Sequence, residues 1–311
     1  MRVLSIDGGG IRGIIPALVL ADLEARTGRR VAELFDLVAG TSTGGILACA
    51  LTKPQPQSAA ELVELYRTEG PRIFRRSLAQ RIRSAEGLVE EKHDDAALED
   101  ALTRYLGSGR LSDATTRVLV TAYDLQAREP HIFKSWRADR DAPLRLVARA
   151  TAAAPTYFEP VLDGPRSLID GGVFATNPAM CAYAEAVVLE GAPPRFVLSL
   201  GTGSQTRAIL HEDAAGWGLV QWVRPVIDVV FDGVSDTVEY QLQHLMPPGS
   251  VVRLQTQLDR ASDALDDASP QNLALLEEQA RALVARSGAA LDAAAAALIS
   301  ERAPAAMSAS F

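Results

Sequence analysis

Short apolar runs closed by glycine alternate along this chain with stretches whose apolar residues recur at helical spacing. The first run, Val3-Leu4-Ser5-Ile6, ends in Asp7-Gly8-Gly9-Gly10-Ile11-Arg12-Gly13 and gives way to a helical stretch from Ile14 to Glu24. Runs this short, bounded by glycine, read as buried strands. Pro16 suits the first turn of the helix and Gly28 its C-terminal cap. The same order returns at once. Val31 to Ala39 reads as a strand, Gly40-Thr41-Ser42-Thr43-Gly44-Gly45 as a tight turn, and Ile46 to Leu51 as a helix. Ser58 and Glu61 then have capping-box spacing and start a helix through Leu62, Val63, Leu65 and Tyr66 to Gly70.

Beyond Gly70 the pattern loosens. Pro71 to Arg83 sets arginines among Ile73, Phe74, Leu78 and Ile82. The favoured reading is a solvated connection whose arginines pair with Glu90, Glu91, Asp94 and Asp95. The functional reading is a basic amphipathic patch drawn to anionic lipid head groups. Periodicity resumes with a helix over about Asp95 to Leu106. Arg117–Tyr123 and His131–Trp136 read as strands, and Pro143–Ala153 as an alanine-rich helix stopped at Pro155. The loop Thr156-Tyr157-Phe158-Glu159-Pro160 suits a substrate entrance and ordinary packing equally.

Ser167-Leu168-Ile169-Asp170 rises to Gly171-Gly172, and a helix begins near Pro178. Arg195–Leu200 is a further core strand. Trp217 to Met246 reads as a long helix interrupted at Pro225 and Gly233, and Val251 to Leu258 as a last strand. Ser269-Pro270 caps a closing helix that ends at Gly288, and a second, alanine-rich helix spans Ala289 to Ile299. Strands alternating with helices predict a three-layer α/β/α fold around a largely parallel sheet. No repeat and no convincing linker divides the chain.

Composition changes this picture little. With 48% hydrophobic and 23% charged residues, the chain has the make-up of an ordinary globule with a substantial core. A net charge of −8 argues against a nucleic-acid polymer as partner. Cys49 and Cys181 lie in apolar surroundings and read as small buried hydrophobes in a reducing compartment. No secretory signal and no apolar run of about 18 residues is visible, so a cytoplasmic protein is expected.

The chemistry gathers at three polar turns, each at the end of a predicted strand. Gly40-Thr41-Ser42-Thr43-Gly44 places a serine on a strand–turn–helix corner, which lifts its hydroxyl into the open as a nucleophile. The Gly8–Gly13 loop offers backbone N–H groups to a negatively charged atom, a nucleotide phosphate or the oxyanion of an acyl transfer. Gly8, Gly10 and Gly13 satisfy G-x-G-x-x-G, but the acidic residue expected about 20 positions further on has only Glu33 and Asp36 as candidates. Asp170, before Gly171 and Gly172, supplies an acidic partner. In a parallel sheet, ligands gather beyond the C-terminal strand ends, so the three turns can meet at one rim as nucleophile, base and anion cradle. A histidine completing a triad after Asp170 would be His211 or His244, whereas His93 and His131 read as ordinary surface or core residues.

At these residues the chain resembles the patatin-like phospholipases. Asp7-Gly8-Gly9-Gly10-Ile11-Arg12-Gly13, Gly40-Thr41-Ser42-Thr43-Gly44 and Asp170-Gly171-Gly172 match that family's three signatures in order, and Ala153-Ala154-Pro155-Thr156-Tyr157-Phe158 is similar to a stretch common in its members. The resemblance implies a Ser42–Asp170 dyad and an oxyanion hole from Gly8, Gly9 and Gly10 with Arg12 nearby. It also implies hydrolysis of acyl esters of phospholipids or other lipids, with no cofactor or catalytic metal. A family-like catalytic domain is expected over residues 1–258, with 259–311 a helical extension packed on the same unit. Two alternatives stay open: a general carboxylesterase or acyltransferase on soluble esters, and a non-catalytic nucleotide-binding regulatory module. As partners, the reading names a lipid ester and transient contact with a membrane surface.

Overall fold

In the computed structural model, residues 1–74, 95–205 and 208–300 are described. The strands are β1 (Arg2–Ile6), β2 (Leu37–Thr41), β3 (Arg117–Asp124), β4 (Glu129–Lys134), β5 (Val161–Asp163), β6 (Arg166–Asp170), β7 (Phe196–Leu200), β8 (Ser204–Gln205), β9 (Val251–Leu254) and β10 (Gln257–Leu258). One sheet runs β5-β6-β3-β2-β1-β7-β9, with β4 also on β3, while β8 and β10 make a small separate pair. The centre, from β3 through β2, β1 and β7 to β9, is parallel. β4, β5 and β6 are antiparallel.

Alternation along the central strands builds the layers. Leu4, Ile6, Val38, Val118, Val120 and Leu198 belong to one core, shared with the helices Ile14–Thr27, Thr43–Thr52, Ala59–Ile73, Asp95–Leu106 and Leu144–Thr151. Their neighbours Val3, Leu37, Ala39, Leu119 and Val197 face the other core, under the helices Ala179–Glu190 and Leu219–Leu245. Successive side chains on a strand point to opposite faces, so strands buried on both sides produce three layers. The closing helices Pro270–Arg286 and Gly288–Ile299 add Leu273, Leu276, Leu283, Leu291 and Leu298 to the first core. Arg2 also donates to the Leu298 carbonyl at 2.7 Å. Among the described residues, no single helix is long and apolar enough to cross a membrane.

Three expectations need correction. Val31–Ala39 is not one strand: Val31–Leu34 forms a helical turn and only Leu37–Thr41 pairs in the sheet. The Glu33 carboxylate accepts from the Arg30 N–H at 2.9 Å, a local hydrogen bond that holds the turn. The long helix is continuous over Leu219–Leu245. Pro225 costs it a single ladder bond, and Gly233 stands in open space, where it costs about 1 kcal/mol against alanine. The last strand stops at Leu254, and Gln257–Leu258 turns away to pair with β8.

Candidate active site

Ser42 links β2 to the helix Thr43–Thr52 with φ 56° and ψ −125°, a conformation that serine adopts only under constraint. The constraint is close packing. A Cβ on Gly40 would collide with the Gly44 carbonyl, and one on Gly44 would collide with the Ile6 carbonyl. Both glycines are therefore there for approach rather than for flexibility. The Ser42 N–H donates to Thr151 Oγ1 at 2.8 Å, and Thr151 is fully buried at the end of its helix. No sequence signal marked Thr151.

Asp170 reaches the serine by a route the sequence did not suggest. Its strand is antiparallel, not one of a parallel set with β2. Thr41 at the end of β2 lies opposite Thr121 of β3, and Asp170 at the end of β6 lies opposite Ala122. The other edge of β3 is taken by β4. β2 and β6 therefore run head to head along one edge of β3, and their last residues abut. A Cβ on Gly171 would collide with Thr121.

The Asp170 carboxyl is 1% exposed, and its Oδ1 accepts from the Gly172 N–H at 2.7 Å. Burial raises its pKa to about 7, against the opposing pull of hydrogen bonds from the Ser42 side chain and the Gly172 N–H.

The glycine loop lies over the serine, where a Cβ on Gly8 would stand 3.2 Å from Ser42 Cβ. Its hydrogen bonds sort its members. The Gly8 N–H donates to the Thr176 carbonyl at 2.9 Å, Ile11 N–H to the Leu265 carbonyl at 2.9 Å, and Arg12 N–H to the Gly9 carbonyl at 3.1 Å. Among the described residues, the N–H groups of Gly9 and Gly10 have no protein acceptor. Arg12 is buried, and its guanidinium donates to the carbonyls of Gly9 at 3.3 Å and Asp263 at 3.2 Å. Gly13 packs where a Cβ would collide with Thr43 and Tyr66.

Ser42, Asp170 and Gly8–Gly10 share the wall of a cavity whose remaining lining is mostly apolar, including Leu65, Ile73, Phe74, Leu98, Phe158 and Phe231. Tyr157 and Phe158, from the loop flagged in the sequence, both line it. Ile73 and Phe74, read as part of a surface patch, line it too, and residues 75–83 of that patch fall outside the described residues. So does His93. His211 and His244 are exposed and absent from the lining, and His244 Nδ1 pairs with the Tyr240 carbonyl at 2.7 Å. His131 is buried on β4, where burial and neighbouring arginines lower its pKa to about 4. Among the described residues, no cluster of three or more His, Cys, Asp or Glu could hold a metal ion.

These features define a three-layer α/β protein with a mostly parallel sheet and a serine on a nucleophile elbow. The model of the family described as "Patatin-like phospholipase" matches residues 4–183, and the chain belongs to that family, for which lipid acyl hydrolysis is the activity at the level of the family. It is 34% identical to "Probable inactive patatin-3-Kuras 1" of Solanum tuberosum, with 92% of this chain and 87% of that protein covered. It is 33% identical to "Patatin-like protein 2" of Arabidopsis thaliana, over 89% of this chain and 81% of the relative. Among solved structures, VipD from Legionella pneumophila aligns with a TM-score of 0.42 at 10% identity, covering 92% of this chain and 67% of its own.

Proposed function

We propose that this chain cleaves acyl ester bonds of phospholipids or related lipids through a Ser42–Asp170 dyad. The observation that carries the reading is the buried Asp170 carboxyl, which holds a pKa of about 7 and shares the wall of an apolar cavity with Ser42. A general base works best with a pKa near the working pH. Asp170 takes the Ser42 proton as Oγ attacks the ester carbonyl. The oxyanion is held by the N–H groups of Gly9 and Gly10, each such donor being worth about 3 kcal/mol. Gly8 and Arg12 act one step back, fixing the loop through Thr176, Gly9 and Asp263. Asp170 returns the proton to the departing alcohol, and water, activated the same way, releases the fatty acid. The cavity's apolar wall suits the acyl chain.

The exposed positions of His211 and His244 favour the dyad over a triad. The loop leaves two N–H groups for a ligand, which suits one oxyanion better than a pyrophosphate and weakens the nucleotide-binding alternative. The long helix presents Leu219 (90% exposed), Trp222 (38%), Val226 (44%) and Val229 (50%) to solvent, which supports transient contact with a lipid surface. Both cysteines are free, and Cys49 is buried, in keeping with a reducing, cytoplasmic setting.

The test is a panel of phospholipids, galactolipids and soluble esters read by mass spectrometry, with wild type and Ser42→Ala in parallel. Fatty acid release from lipids by wild type alone is the expected result. Release by Ser42→Ala would overturn the mechanism, and turnover confined to soluble esters would replace phospholipase by esterase.

A further inference from the structure

Across β1, β7 and β9, the residues Ser5, Ser199 and Arg253 sit side by side at one level of the sheet, beneath the long helix. Arg253 donates through Nη2 to Asp7 Oδ2 at 2.6 Å and through Nη1 to Ser199 Oγ at 2.9 Å. From the helix above, Ser235 Oγ donates to the same Asp7 oxygen at 3.3 Å, and Glu239 lies 3.7 Å from Arg253 Nε. The side chains of the pair are 9% and 3% exposed. Burial pushes the Asp7 carboxyl up, and Arg253 is the strongest influence pulling it back down.

A buried ion pair is an inefficient way to stabilise a fold, since desolvation offsets most of the attraction. β1 has no need of it: backbone bonds to β2 and β7 hold it on both sides, and the Asp7 N–H is fixed by the Leu200 carbonyl at 3.0 Å. The pair's position gives it a different use. Asp7 is the residue at which the chain leaves the sheet, directly before Gly8, Gly9 and Gly10. Clamping its side chain fixes the direction in which the loop departs, and with it the aim of the Gly9 and Gly10 N–H groups. The next residue is fastened from the same side of the sheet, where Thr202 Oγ1 donates to the Gly8 carbonyl at 2.7 Å.

We infer that Arg253 is a positioning residue for acyl transfer, which acts by clamping Asp7 and so aiming the Gly9 and Gly10 donors at the oxyanion. Resting on the reading of Ser42 as nucleophile, it places part of the catalytic apparatus in β9, outside the segment 4–183 that the family model matches.

Two rates test it: hydrolysis of a short-chain p-nitrophenyl ester, and covalent capture of Ser42 by a fluorophosphonate, which also needs the oxyanion donors. Arg253→Met should lower kcat about 100-fold with KM within about threefold, and slow capture comparably, since one misaimed donor costs that much. Arg253→Lys should recover about tenfold of the loss. Ser235→Ala, which removes one hydrogen bond to Asp7 and one from Arg253, should slow both rates about threefold and carries the test if Arg253→Met does not fold. Variants that are captured and turn over at the wild-type rate per folded molecule overturn the inference. Failure of the nucleophile reading looks different, because wild type itself would then be neither captured at Ser42 nor active.

Discussion

At the scale of the residue, the proposed general base is a carboxyl whose proton affinity has been set by burial. Asp170 moves from a pKa of 3.8 to about 7, and two consequences can be measured. Activity needs the ionised form, so kcat/KM should rise about tenfold per pH unit below about pH 7 and level off above it. A flat profile from pH 5 to pH 9 would remove Asp170 as the base. The second consequence is linkage. The folded state keeps this proton between pH 3.8 and about 7, where the unfolded chain has lost it, so stability falls as pH rises through that window and stays lower above it. The difference amounts to about 4 kcal/mol. Asp170→Asn should abolish this fall, seen as urea midpoints that no longer drop between pH 5 and pH 8, while turnover declines by at least about 1,000-fold. As candidates, Ser42 and Asp170 were legible in the sequence because glycines stand on both sides of Ser42 and directly after Asp170. Thr151 was not, because a threonine closing a helix carries no such mark.

At the scale of the element, the elbow is a contact between backbones. Gly44→Ala would drive a methyl group into the Ile6 carbonyl. It should destabilise the protein by several kcal/mol, as overpacking at rigid backbone does, with loss of both thermal stability and activity. Thr151→Val keeps the shape but removes the acceptor of the Ser42 N–H. It should cost about 1–3 kcal/mol of unfolding free energy for the orphaned donor and lower kcat with little change in KM. A larger effect on KM than on kcat would argue that Thr151 touches substrate instead. Helix and strand identities followed from apolar spacing, but strand direction did not. The run ending in Asp170 looks the same from either direction, and only its pairing with Ala122, Tyr123 and Asp124 makes it antiparallel. The long helix shows the opposite limit, with Pro225 and Gly233 accommodated inside one continuous element.

At the scale of the molecule, parts distant in sequence converge on one short loop. The loop from Gly8 to Ile11 is held by the carbonyls of Thr176 and Leu265, by Thr202 and, through Asp7, by Arg253. The closing helices share their core with the elbow helix and the first helix. A chain ended at residue 258 would lose Leu265, the Asp263 carbonyl that Arg12 holds, and the leucines of Pro270–Arg286. It should fail to give a cooperative unfolding transition by circular dichroism. A folded and active 1–258 fragment would instead make the remainder dispensable.

The sequence by itself determined the layer architecture, the serine corner, the glycine loop and the aspartate, because short-range sterics and apolar periodicity write those locally. Only the tertiary structure decided that β6 meets β2 head to head, that among the described residues Gly9 and Gly10 keep free donors while Gly8 does not, and that Arg253 stands behind Asp7. Each of these depends on which strand lies beside which, and strand pairing is a choice made between segments far apart in the chain.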